Sequence, residues 1–75
     1  MQELIEYIAR SLVENPDRVQ VSTRRSGSSL YADVTAAPGD LGRLIGRRGR
    51  TAQAIRSVAK VAAARQGMRI TVDID

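Results

Sequence analysis

The stretch LIGRRGRTAQAIR, Leu44 to Arg56, sets two glycines around two arginines and follows them with a mixed basic and apolar run. Gly46 and Gly49 lack a Cβ, so each can take backbone conformations closed to other residues and leave its peptide open to a close neighbour. The plain structural use of such a pair is a turn, with Gly46 closing one helix in left-handed conformation and Gly49 opening the next. The charge around it argues for more. Arg43, Arg47, Arg48 and Arg50 crowd the same short segment. A helix start offers free N–H groups and a positive dipole end to an anion, and guanidinium groups hold phosphate oxygens in pairs.

Working outward from the glycines, the chain divides into six elements. Alanine-rich composition predicts a helix from about Arg50 to Gln66, with Gly67 at its C′ position. Ala52, Ile55, Ala59 and Ala62 form the stripe expected to face the core. Ala54, Val58 and Val61 form a second stripe, which one helix laid over a sheet need not bury. Arg69 to Asp75 alternates as a strand, with Ile70, Val72 and Ile74 inward. On the other side, Ala37-Pro38-Gly39-Asp40 breaks the chain, and Asp40 is placed to cap a short helix from Leu41 to the glycines. Arg18 to Arg24 and Ser29 to Ala36 both alternate, and the turn RSGSS between them makes a hairpin. Gln2 to Glu14 reads as an amphipathic helix with Leu4, Ile5, Ile8 and Leu12 on one face, ended by Asn15-Pro16-Asp17. The order is helix, strand, strand, short helix, long helix, strand. This predicts an α+β fold with helices on one face of a three-stranded sheet. The other face, with Gln20, Ser22, Arg24, Tyr31, Asp33, Thr35, Thr71 and Asp73, is expected to meet water.

At 75 residues one domain is expected, and 43% hydrophobic with 27% charged residues is an ordinary globular balance. The sequence has no cysteine and no histidine, which removes disulfides, thiolate sites and the commonest general base and metal ligand. No catalytic residue, metal site or cofactor is expected; Asp73 and Asp75 share a strand face but read as an exposed strand terminus. The start MQELIEYIAR lacks a basic, apolar leader, and no apolar run reaches membrane-spanning length, so a cytoplasmic protein without membrane contact is expected. The net charge of +4 is unevenly spread: Leu41 to Val72 carries eight basic residues and no acid, while the remainder carries four basic and all eight acidic residues. Such asymmetry points to a polyanion on one face.

Several anion binders do not fit. A nucleotide-binding P-loop would need a glycine at Leu44 and a lysine at Arg50. A DNA-reading helix-turn-helix would need a longer bracing helix than Leu41 to Ile45 and stays a weaker alternative. A reader that stacks bases across its sheet needs aromatics, and this chain has no Phe or Trp.

The run DLGRLIGRRGRTAQAIR, Asp40 to Arg56, in this element order resembles the helix–GxxG–helix core of a KH domain, whose loop clamps the backbone of about four nucleotides. The preceding helix and strand resemble the bacterial type II arrangement, and the whole chain resembles the KhpA family of small stand-alone KH proteins. One departure is Ala52, where KH cores often carry a large aliphatic residue. The resemblance implies that Gly46-Arg47-Arg48-Gly49 clamps phosphate. Bases would lie in a groove floored by Ile45 and the second strand around Val34, with Arg43, Arg50 and Arg56 on the rim. Lys60 shares the helical face of Arg56 and reads as solvated. The implied ligand is single-stranded RNA bound with sequence tolerance; no small-molecule substrate and no catalysis are implied. The implied role is an RNA chaperone or post-transcriptional regulator tied to growth, cell shape and envelope synthesis. The resemblance also implies a homodimer, or pairing with a second KH-containing protein such as KhpB, and the stripe Ala54, Val58 and Val61 is the surface for it. A protein–protein interaction module and a DNA-binding domain are the alternatives.

Overall fold

Val21, Ala32, Val34, Ile70 and Val72 are buried while their strand neighbours are more exposed, and Val19, just ahead of the first strand, is buried with them. Period-two patterning therefore holds through three strands that share one apolar face. The computed structural model describes residues 1–75. Strand β1 (Gln20–Ser26) pairs antiparallel with β2 (Ser29–Thr35), from Gln20 opposite Thr35 to Ser26 opposite Ser29. Strand β3 (Arg69–Ile74) runs parallel to β2, which lies in the middle. Gly27, at φ +60°, is the first residue of a two-residue hairpin turn, as a type II′ turn requires.

Helices α1 (Gln2–Leu12), α2 (Leu41–Ile45) and α3 (Arg50–Arg65) cover the apolar face. Ile5 and Leu44 are fully buried at the centre, and burying such a side chain contributes about 1.5–3 kcal/mol. Ala9, Ala52, Ala59 and Ala63 are also buried, and their small side chains let α1 and α3 lie close on the core. Ala52 thus fills its position without a large aliphatic group. Gly67, at φ +71°, ends α3 in a Schellman motif: Met68 N–H donates to Ala63 O at 2.9 Å and Gly67 N–H to Ala64 O at 3.0 Å. The chain then reverses, so β3 runs back along α3.

Four expectations need correction. Helix α1 ends at Leu12, not Glu14, because Val13 is extended and the Glu14 and Asn15 amides turn to the Asp40 carboxylate. Leu12 is accordingly 41% exposed, and Ala9 takes the core position beside Ile5. Strand β1 starts at Gln20 and not Arg18, because Pro16–Arg18 forms a 3-10 turn, and the tight hairpin lets the strand run on to Ser26. In α3 the core stripe ends on Ala63, four residues after Ala59, while Ala62 is half-buried. Asp40 precedes α2 but its side chain does not cap that helix.

Candidate nucleic-acid interface

The segment from α2 to α3 turns within four residues, and its backbone explains the two glycines separately. Gly46 sits at φ 76° and ψ 173°, a region essentially closed to residues with a Cβ. A Cβ there would also lie 2.2 Å from Thr51 Oγ1 and 2.8 Å from Thr51 N. Gly46 N–H donates to Gly42 O at 2.8 Å, closing α2, and Gly49 N–H to Gly46 O at 3.2 Å, closing the loop. Gly49 is left-handed at φ 73° and ψ 14°, and the space where its Cβ would point is empty to 4 Å. Arg48 is also left-handed, at φ 58° and ψ 26°, a conformation costing about 1–2 kcal/mol for a residue with a side chain. Such strain is held where the surroundings impose it, commonly at ligand clamps.

The loop therefore presents Arg47 and Arg48 at its tip and Arg50 at the first turn of α3, all exposed. None of the three makes an ion pair; the chain's three ion pairs involve only Arg10 and Arg43. Uncommitted guanidinium groups beside the N–H groups of a helix start make an anion-binding surface. Ile45, 41% exposed, lies at the same corner.

Two predicted rim residues are placed differently. Arg43 pairs with Glu14, and its Nε lies 3.6 Å from Asp40 Oδ1. Its charge is thus engaged by carboxylates and not turned freely to the loop. Arg56 is half-buried, and its Nε donates to Val72 O at 3.0 Å. Since β3 is an edge strand, this bond fastens α3 to the sheet and leaves the Nη groups without a partner. Val34 is 1% exposed and belongs to the core, so it floors no open groove. A concave strip lies between α3 and β3, lined by Arg56, Lys60, Ile70, Thr71, Val72 and Asp73, while the cleft that reaches Arg50 and Thr51 at the start of α3 lies on the α1 side.

Asp40 is the one buried charged residue, and nothing in its local sequence announces its partners. It accepts from Glu14 N–H at 3.2 Å, from Asn15 N–H at 3.0 Å and from Asn15 Nδ2 at 3.2 Å. Burial alone pushes the carboxyl up, but these donors and the Arg43 guanidinium outweigh it and hold the group below its ordinary value of 3.8. Asp40 thereby ties the end of α1 to the start of α2, and so helps fix the direction in which α2 delivers Gly46.

The second α3 stripe is open. Val58 is 48% exposed and Val61 58%, and Ala54 is exposed beside them. Val58 lines both a shallow depression with Val61 and a cleft shared with Ile8, Leu12 and Ala54 against α1. No helix is long and apolar enough to cross a membrane.

The sequence model of the KhpA/KhpB KH-domain family matches residues 2–74. An RNA-binding protein KhpA of Halalkalibacterium halodurans is 46% identical over 74 residues, covering 99% of this chain and 97% of that protein. An RNA-binding protein KhpA of Clostridium acetobutylicum is also 46% identical over 74 residues, covering 99% of each chain. One of Streptomyces coelicolor is 41% identical over 76 residues, covering 100% of this chain and 95% of that protein.

Proposed function

This chain belongs to the KhpA/KhpB family of KH-domain proteins, and from that premise we propose that it is a non-catalytic binder of single-stranded RNA whose Gly46–Gly49 loop clamps the phosphate backbone. One observation carries this reading. Three arginines without acidic partners stand around a left-handed loop whose last glycine leaves open space at the start of α3. A phosphate seated there would meet backbone N–H groups and guanidinium groups together, and its neighbours along the strand would lie toward Arg56. Backbone contacts carry no sequence information, so binding is sequence-tolerant. The relatives named as RNA-binding proteins support RNA over DNA as the ligand.

The test is fluorescence anisotropy on a short single-stranded RNA with the wild type and with Arg47→Asp/Arg48→Asp, the variant's fold being checked by circular dichroism. A folded variant that no longer binds supports the clamp. Equal binding by a folded variant moves the RNA elsewhere and leaves the loop a turn.

The exposed stripe Ala54, Val58 and Val61 supports a second part of the reading: the protein works as a pair, with a second copy or with a KhpB-like KH protein seated on this face. One small clamp holds RNA weakly, and two joined clamps gain avidity. The role that fits is that of a cytoplasmic RNA chaperone or post-transcriptional regulator, with growth, cell shape and envelope synthesis as the processes to examine first.

A further inference from the structure

We propose that Glu14 sets how tightly, and with what salt dependence, this protein holds RNA, by keeping the Arg43 guanidinium from the phosphate at the glycine loop. The proposal rests on the clamp reading above and adds a residue that works against the clamp. Arg43 stands one helical turn before Gly46, which closes α2, so its long side chain is within reach of a clamped phosphate. Arg47, Arg48 and Arg50 carry no carboxylate partner, whereas Arg43 has two. Glu14 is the exposed one, and it accepts a hydrogen bond from an Nη group of Arg43. Asp40 is the buried one, 3.6 Å from Arg43 Nε.

Asp40 assembles this pair. Its Oδ1 accepts from Glu14 N–H at 3.2 Å, which fixes the Glu14 backbone just past the end of α1. The same oxygen faces Arg43 Nε. One buried carboxylate thus brings together a glutamate and an arginine 29 positions apart. Their side chains stay open to water, Arg43 by 50% and Glu14 by 69%. That exposure decides the chemistry. A pair so exposed is weak, and a phosphate, which takes a guanidinium through two oxygens, competes for the same Nη groups. RNA must displace Glu14 to gain Arg43, so much of the value of that contact is lost in the exchange. With Glu14 uncharged, Nε stays beside Asp40 and the Nη groups are left for phosphate. Arg56 already has this arrangement, its Nε held by Val72 O and its Nη groups unpartnered.

The test is a double-mutant cycle, with affinity for a short single-stranded RNA read by anisotropy across a salt series. The proteins are wild type, Glu14→Gln, Arg43→Gln and Glu14→Gln/Arg43→Gln. Glutamine keeps the backbone N–H that Asp40 accepts and removes only the charge, and circular dichroism checks each fold. Glu14→Gln should bind about two- to fivefold more tightly than wild type, the span that an exposed ion pair covers. Its affinity should also fall more steeply with salt, by about 0.7 in logarithmic slope, the share of one further phosphate neutralised on a single strand. With Arg43→Gln as the reference, the same change at Glu14 should bring neither effect. Wild-type affinity and slope in Glu14→Gln overturn the proposal. A gain that persists on the Arg43→Gln background overturns it too, because Glu14 then acts by general repulsion and not through Arg43. If Arg47→Asp/Arg48→Asp abolishes binding while Glu14→Gln changes nothing, the clamp stands and only this proposal falls. If that loop variant binds as wild type does, the clamp falls and takes the proposal with it.

Discussion

Gly46 and Gly49 share a letter and not a duty. Gly46 is required by the fold, since its backbone region excludes side chains and Thr51 occupies the space a Cβ would need. Gly46→Ala should lose about 3 kcal/mol or more, combining backbone strain with a clash against main chain. Gly49→Ala meets no neighbour and should lose only about 1–2 kcal/mol for its left-handed backbone. Urea unfolding of the two variants checks the order; equal losses would mean that Thr51 yields freely. Arg48 carries the opposite trade. Arg48→Gly relieves left-handed strain, adds chain entropy to the unfolded state, and should gain about 0.5 kcal/mol net. The same change removes a guanidinium from the loop tip, so RNA affinity should fall while the unfolding midpoint rises. A variant that loses stability would show that the Arg48 side chain packs more than its exposure indicates.

At the scale of elements, the join between α1 and α2 decides how the loop is presented. The Asp40 carboxyl is held below its ordinary value of 3.8, so its contribution to stability is fully present above that pH and is lost as pH falls through the depressed value. Asp40→Asn keeps the shape but places an amide donor among donors from Glu14 and Asn15. The variant should unfold at lower urea than wild type at neutral pH, and the gap should narrow below pH 3.8, where the wild-type carboxyl takes up its proton. A gap independent of pH would assign the effect to shape and not to charge. This join also marks the limit of what the sequence discloses. Alternation in Val19–Val21, Ala32–Val34 and Ile70–Val72, the Gly27 turn and the Gly67 helix end are local signals, and each appears where its local chemistry puts it. The glycine loop was equally legible as a place. Asp40 reaches residues 25 and 26 positions away, Arg43 reaches Glu14, and Arg56 reaches Val72 across the helix–sheet packing. Local sequence patterns do not carry such long-range pairings, so a capping role for Asp40 and free rim roles for Arg43 and Arg56 were the natural readings. Leu12 went astray for the same reason, since the Asp40 contact ends α1 before Leu12 can complete an inward face.

At the scale of the molecule, α3 serves three directions at once. At 100° per residue, Ala52, Ile55, Ala59 and Ala63 face the core, Arg56 and Lys60 turn to the β3 side, and Ala54, Val58 and Val61 turn nearly opposite to Arg56. On the proposed reading, a partner seated on the valine face would leave the loop open, and two clamps would hold one RNA together. This separation makes pairing and RNA contact independently removable. Val58→Gln/Val61→Gln keeps helix-forming side chains and deletes the apolar patch. Wild type should sediment as a concentration-dependent dimer at high micromolar protein, and the variant as a monomer. Affinity for an RNA of about four nucleotides should be the same in both, since one clamp suffices. On an RNA long enough for two clamps, the variant should bind at least about a hundredfold more weakly, because the second contact is no longer intramolecular. A wild type that stays strictly monomeric would mean that the face is filled by a different KH protein or stays bare. A variant that loses the short RNA as well would mean that the valine face supports the loop itself, and that the three directions of α3 are not separate.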